Sequence, residues 1–168
     1  DKVAKLKKEN YNIIIVGDKR HSEVEGLISM ADNKCYIIEK LNDINENKIN
    51  KMQKIGIIFQ TTQDVEFAKN IIQKLVTIGK KPKETRIFNT LCDTTTERQN
   101  EARTIAQKVE LMIIIGGYNS ANTKRLVNIA SNFTNTIHIQ LPEQINQKDV
   151  LNISKMGISA GASTPKIL

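Results

Sequence analysis

Leu111-Met112-Ile113-Ile114-Ile115, followed at once by Gly116-Gly117-Tyr118-Asn119-Ser120-Ala121-Asn122-Thr123, decides the fold. Apolar residues in an unbroken run do not alternate, so neither face of this strand meets water. Such a strand belongs in a parallel sheet covered by helices on both sides. Ile13-Ile14-Ile15-Val16 has the same character. Working outward, short β-branched runs recur at Tyr11–Val16, Cys35–Ile38, Ile55–Phe59, Arg86–Phe88, Leu111–Ile115, Thr136–Ile139 and Met156–Ile158. Helical patterns alternate with them. Val65 to Ile78 places Phe67, Ile71, Ile72 and Leu75 on one face, with Gly79 as a C-cap, and Asn100 to Val109 places Ala102, Ile105, Ala106 and Val109 likewise. The expected fold is α/β with mostly parallel sheets flanked by helices.

Gly79-Lys80-Lys81-Pro82-Lys83 breaks the pattern near the middle. It divides the chain into two similar small domains, 1–85 and 86–168. Gly17 to Gln60 and Gly117 to Ala160 both span 43 residues, which suggests an internal repeat with loops at equivalent places.

The chain has 168 residues, 39% hydrophobic and 26% charged, as in a globular protein. No apolar run is long enough to cross a bilayer, and the lysine-rich start has no apolar stretch like a signal peptide. Cys35 and Cys92 lie in unlike surroundings and make no disulfide framework, which points to a reducing, cytoplasmic setting. A net charge of +7 suits nucleic acid, an anionic membrane surface or a phosphorylated small molecule. The lysines are scattered, aromatics are 4% and Trp is absent, so a base-stacking nucleic-acid binder is disfavoured.

Five polar clusters directly follow strands: Gly17–Gly26, Gln60–Asp64, Asn89–Gln99, Gly116–Thr123 and Ser159–Pro165. In parallel sheets ligands bind at the carboxyl ends of strands. Ser22…Glu25 and Thr94…Glu97 have capping-box spacing, and Pro165 fits the first helical position after a Thr164 cap. Capping needs one polar side chain, however, and Asn119-Ser120-Ala121-Asn122-Thr123 supplies four after a Gly-Gly. Free N–H groups with spare hydroxyls and amides suit a phosphate or diphosphate. Neither a Walker loop nor a Gly-x-Gly-x-x-Gly fingerprint is present. His21 could bind a phosphate or carry protons, and Glu23, two residues on, could donate a proton. His138, inside Ile137-His138-Ile139, reads as structural. Cys92 stands open as a core cysteine, a nucleophile or one metal ligand. An iron–sulfur site needs more thiolates than this chain offers at one place.

Taken together, these loops resemble the LytB family, the 4-hydroxy-3-methylbut-2-enyl diphosphate reductases. The resemblance rests on Gly17…His21-x-Glu23-Val24-x-Gly26, Gln60-Thr61-Thr62 and Asn89-Thr90-x-Cys92-x-x-Thr95-x-x-Arg98-Gln99. It extends through Gly116-Gly117-x-Asn119-Ser120-x-Asn122-Thr123 and Ala160-Gly161-Ala162-Ser163-Thr164-Pro165. It implies three similar α/β domains around a [4Fe-4S] cluster held by three cysteines, one from each domain. The reaction it implies is reductive removal of the substrate hydroxyl as water, giving isopentenyl and dimethylallyl diphosphate. Cys92 would be one cluster ligand, Glu23 the proton donor, and Thr61 the residue that positions the substrate hydroxyl and relays the proton. His21, Ser120, Asn122 and Ser163 would bind the diphosphate. An electron donor such as ferredoxin or flavodoxin is implied, and neither nucleic acid nor membrane. The family's first domain is expected to be absent, the last helix to be cut short, and these residues alone to be colourless and inactive. Ala121 stands where many members carry a second serine. The alternatives are a diphosphate-binding module without reductase activity and a basic nucleic-acid-binding domain.

Overall fold

A computed structural model describes residues 2–78 and 82–165. The chain divides into two compact units, Asp1–Leu91 and Cys92–Leu168. In unit 1, helix α1 (Lys2–Lys8) leads to strand β1 (Asn12–Val16), α2 (Ser22–Met30), β2 (Cys35–Ile38), a 3-10 turn (Leu41–Asp43), α3 (Glu46–Ile49), β3 (Lys54–Phe59), α4 (Val65–Thr77) and β4 (Glu84–Phe88). Its parallel sheet has the order β2-β1-β3-β4. Unit 2 opens with α5 (Asp93–Ala106) and continues through β5 (Leu111–Ile115), α6 (Ala121–Ser131), β6 (Asn135–Ile139), a 3-10 turn (Pro142–Gln144), α7 (Gln147–Val150) and β7 (Met156–Ala160). Its described strands are parallel in the order β6-β5-β7.

The unbroken apolar strands do what their pattern predicts. From β1, Ile14 and Val16 pack with Ile57, Phe59, Ile71 and Leu75. Ile13 and Ile15 enter a different cluster with Val3, Leu6 and Val24. One strand thus feeds a core on each face, and each fully buried isoleucine contributes about 1.5–3 kcal/mol. In unit 2, Met112 and Ile114 pack on Ala102, Ala106 and Leu126, while Leu111 and Ile113 join Ile139 on the other face. Helices lie close on both sheets where strand glycines face them. A Cβ on Gly56 would reach Leu6 Cδ2 at 2.3 Å, and one on Gly157 would reach Ile105 Cγ2 at 2.4 Å.

Two expectations are corrected. The division near residue 86 moves to Leu91/Cys92, because β4 hydrogen-bonds to β3 and completes the first sheet. Arg86 Nη1 adds an ion pair with Glu9 at 2.5 Å, and the Tyr11 hydroxyl donates to Glu84. The repeat also matches one residue away from where the 43-residue spacing put it. Gly17 N–H donates to Ile38 O and Gly116 N–H to Ile139 O; Gln60 N–H donates to Val16 O and Gly161 N–H to Ile115 O. The equivalent pairs are therefore Gly17/Gly116 and Gln60/Gly161. The second repeat is longer by two residues, the same excess that α6, with 11 residues, has over α2, with 9.

The helix expected over Asn100–Val109 begins earlier, at Asp93. The Gly79 cap, and any helix that Pro165 opens, lie outside the described residues. Helix α1 is not among the expected elements, since its buried residues are only Val3 and Leu6. No helix among the described residues is long and apolar enough to cross a membrane.

Candidate functional site

Unit 1 builds its site from the loops after β1 and β3, neighbours in the sheet. His21, rather than Ser22, caps α2, and its Nδ1 accepts the Glu23 N–H at 3.2 Å. In a neutral ring that leaves the proton on Nε2, free to face an anion. The first turn of α2 places Glu23 against the loop after β3. Its Oε1 accepts the Thr61 N–H at 2.8 Å and its Oε2 accepts the Thr61 hydroxyl at 2.9 Å. The two residues foreseen for proton handling are thus in direct contact.

Gln60, quoted in the motif without a role, joins the same two loops. It is 1% exposed, its Oε1 accepts the Asp18 N–H at 2.9 Å, and its Nε2 donates to Thr62 Oγ1 at 3.2 Å. Gly17 is needed at this crossing, since a Cβ there would stand 2.7 Å from Gln60 Cβ and 2.9 Å from Val24 Cγ2.

Unit 2 builds from the loops after β5 and β7. Ser120 caps α6, its Oγ accepting the Thr123 N–H at 3.2 Å. Asn122 is 7% exposed, yet among the described residues neither Oδ1 nor Nδ2 has a hydrogen-bond partner; the hydroxyl of fully buried Thr123 has none either. Each unmet buried polar group costs about 1–3 kcal/mol. Unmet groups of this kind at a helix start are what a polar ligand could satisfy. Ser163 lies exposed in the loop after β7, which is tied down when Thr164 Oγ1 donates to Ile115 O at 3.0 Å. Thr123 is a residue that the sequence offered only as one of several caps.

Cys92 is the N-cap of α5 and is exposed, which removes the core-cysteine reading. The backbone and then the side chain of Thr95, followed by the Thr94 backbone, lower its pKa below the ordinary thiol value. Sγ makes no formal cap hydrogen bond, so we ascribe the effect to the field of the helix start. Cys35 is the reverse case, its thiol pushed up by burial. No group of three or more His, Cys, Asp or Glu side chains among the described residues could hold a metal ion. Cys92 by itself does not make a metal site.

The family model for LytB proteins matches residues 1–168. The chain belongs to the LytB family. A 4-hydroxy-3-methylbut-2-enyl diphosphate reductase of Geotalea uraniireducens is 42% identical over 167 residues, 99% of this chain and 57% of that protein. Among solved structures, the Plasmodium falciparum E-1-hydroxy-2-methyl-but-2-enyl-4-diphosphate reductase matches with a TM-score of 0.85 and 28% identity, over 99% of this chain and 53% of that one. A structure of (E)-4-hydroxy-3-methyl-but-2-enyl diphosphate reductase, described as the terminal enzyme of the non-mevalonate pathway, is 38% identical with a TM-score of 0.52, over 97% of this chain and 58% of that one. The LytB chain described here thus spans little more than half the length of the relatives it matches.

Proposed function

We propose that this LytB chain serves as part of a 4-hydroxy-3-methylbut-2-enyl diphosphate reductase. The observation that carries the reading is the Glu23 carboxylate holding both the amide and the hydroxyl of Thr61 at the carboxyl edge of the sheet. The reaction replaces an allylic C–OH bond with C–H. It consumes two electrons and two protons, and the oxygen leaves as water. A hydroxide is a poor leaving group, so a proton must reach it as the bond breaks.

Glu23 is that donor. With its carboxyl protonated, it gives its hydrogen bond to Thr61 Oγ, and the Thr61 hydroxyl turns its own proton toward the substrate hydroxyl. The Thr61 N–H on the other carboxylate oxygen keeps the pair in register. Unit 2 contributes anion binding: Ser120, Asn122 and Ser163 donate to the diphosphate at the start of α6. In unit 1, His21 offers its Nε2–H to an anion, its Nδ1 being held by the Glu23 N–H. Cys92 would be one thiolate ligand of a [4Fe-4S] cluster, the group that supplies the electrons in the complete enzyme. Electrons enter from a one-electron donor such as ferredoxin or flavodoxin.

The test uses the protein as expressed from its own gene, purified without oxygen and given reduced donor and substrate. Formation of isopentenyl and dimethylallyl diphosphate is expected, and its absence with full iron content would reject the reading. These 168 residues by themselves are expected to hold no stoichiometric iron and to turn nothing over; iron analysis of the isolated chain checks this.

A further inference from the structure

We propose that His138 is a positioning residue for the diphosphate loop Gly116–Thr123, acting from β6 through the carbonyl of Gly116. The inference rests on reading Ser120 and Asn122 as diphosphate ligands.

His138 Nε2 lies 2.9 Å from Gly116 O. A carbonyl can only accept, so Nε2 must carry the proton and the ring tautomer is set. Gly116 is buried with φ +153°, a conformation that a side chain would strain. A Cβ there would also meet Thr123 Oγ1 at 2.6 Å. This peptide sets the direction in which the following loop leaves β5, and His138 holds its oxygen.

The imidazole is itself held. The Tyr118 ring packs edge-on against it, centroids 4.7 Å apart at 70°. Gln144 Nε2 donates to the Tyr118 hydroxyl at 3.1 Å, while Gln144 Oε1 accepts the N–H groups of Gln140 and Leu141 at 2.6 and 2.9 Å. Loop, two rings and the turn after β6 form one connected support.

Unit 1 shows why unit 2 needs it. There the loop after β1 is tied from β3 by the Gln60 side chain. The equivalent residue of unit 2 is Gly161, and a Cβ at that position would stand 2.2 Å from Thr123 Oγ1. Position 161 offers no side chain to tie the Gly116 peptide, and that tie comes from β6. The unit 1 counterpart of His138 is Ile37, which has no donor to offer.

The test measures inorganic diphosphate binding to this chain by the shifts of the Ser120–Thr123 amides, in wild type, His138→Phe and His138→Gln. Phe keeps a ring and loses the donor; Gln returns an N–H near the Nε2 position. We expect His138→Phe to weaken binding about tenfold. Gln should recover most of the loss, and the wild-type ring should show the Nε2–H form by 15N spectroscopy. Equal affinity in His138→Phe, an Nδ1–H ring, or a loss that Gln does not repair would each overturn the positioning role. A wild-type chain whose loop amides ignore diphosphate would overturn the ligand reading and the role built on it, while the tautomer still decides whether the His138–Gly116 bond exists.

Discussion

Unit 1 and unit 2 repeat one topology and spend it on different chemistry. Glu23 and Asn122 are each the second residue of the helix that follows the first central strand of their unit. Glu23 finds its partner in Thr61, one residue past Gln60. Asn122 finds none among the described residues, and the residue one past Gly161 is Ala162, which has no hydroxyl. A carboxylate is satisfied by a neighbouring loop, whereas an amide is kept buried and unmet among the described residues. The same helix position thus holds a made hydrogen-bond pair in one unit and half of one in the other. The supports differ in parallel: Gln60 ties the loop in unit 1, His138 in unit 2.

The largest effect should come from removing the proton in unit 1. Glu23→Gln in the protein from its own gene keeps an acceptor for Thr61 and loses the acid, so turnover should fall by roughly 10²–10⁴. Product formation at unchanged iron content measures it; normal turnover would erase the distinction between the units. Next is Gly161→Ala, which imposes on unit 2 a side chain where unit 1 has one. The new Cβ would face buried, β-branched Thr123, and we expect a loss of about 1–3 kcal/mol by denaturant unfolding. A neutral outcome would mean that Gly161 is not what forces the tie onto β6. Gln60→Ala should leave the Asp18 N–H without its acceptor and cost about 1 kcal/mol. Faster amide exchange confined to the loop after β1 is the expected signature.

The smallest effect concerns the cysteines. The helix start lowers the Cys92 thiol, so its thiolate forms at a lower pH than usual; burial raises Cys35, so its thiolate forms later. Alkylation near neutral pH should modify Cys92 about tenfold faster, the preference being set up as pH rises through the Cys92 range first. Peptide mapping after brief iodoacetamide treatment reads it, and earlier labelling of Cys35 would contradict it.

Much of this was legible beforehand for definite reasons. Met112-Ile113-Ile114-Ile115 could only be a strand with two covered faces, and the polar clusters had to lie at strand ends. Other features were hidden. β4 looked like the opening of the second half because a Lys-Pro break precedes it, but pairing with β3 is a long-range choice that no local signal carries. Ser22 had capping-box spacing, yet the less common cap His21 took the role because it stands one residue nearer the strand end. His138, in an apolar strand, gave no sign that its ring reaches the first carbonyl of the loop after the neighbouring strand.

The sequence by itself determined the alternation of strand and helix, the parallel sheets and the residue types gathered at their carboxyl edges, because periodicity and capping act over a few neighbouring residues. Only the tertiary structure decided which loop each polar side chain serves. Glu23 meets Thr61, Gln60 meets Asp18 and His138 meets Gly116 because adjacent strands bring together residues 22 to 42 positions apart. Asn122 is buried by the same packing with no partner among the described residues.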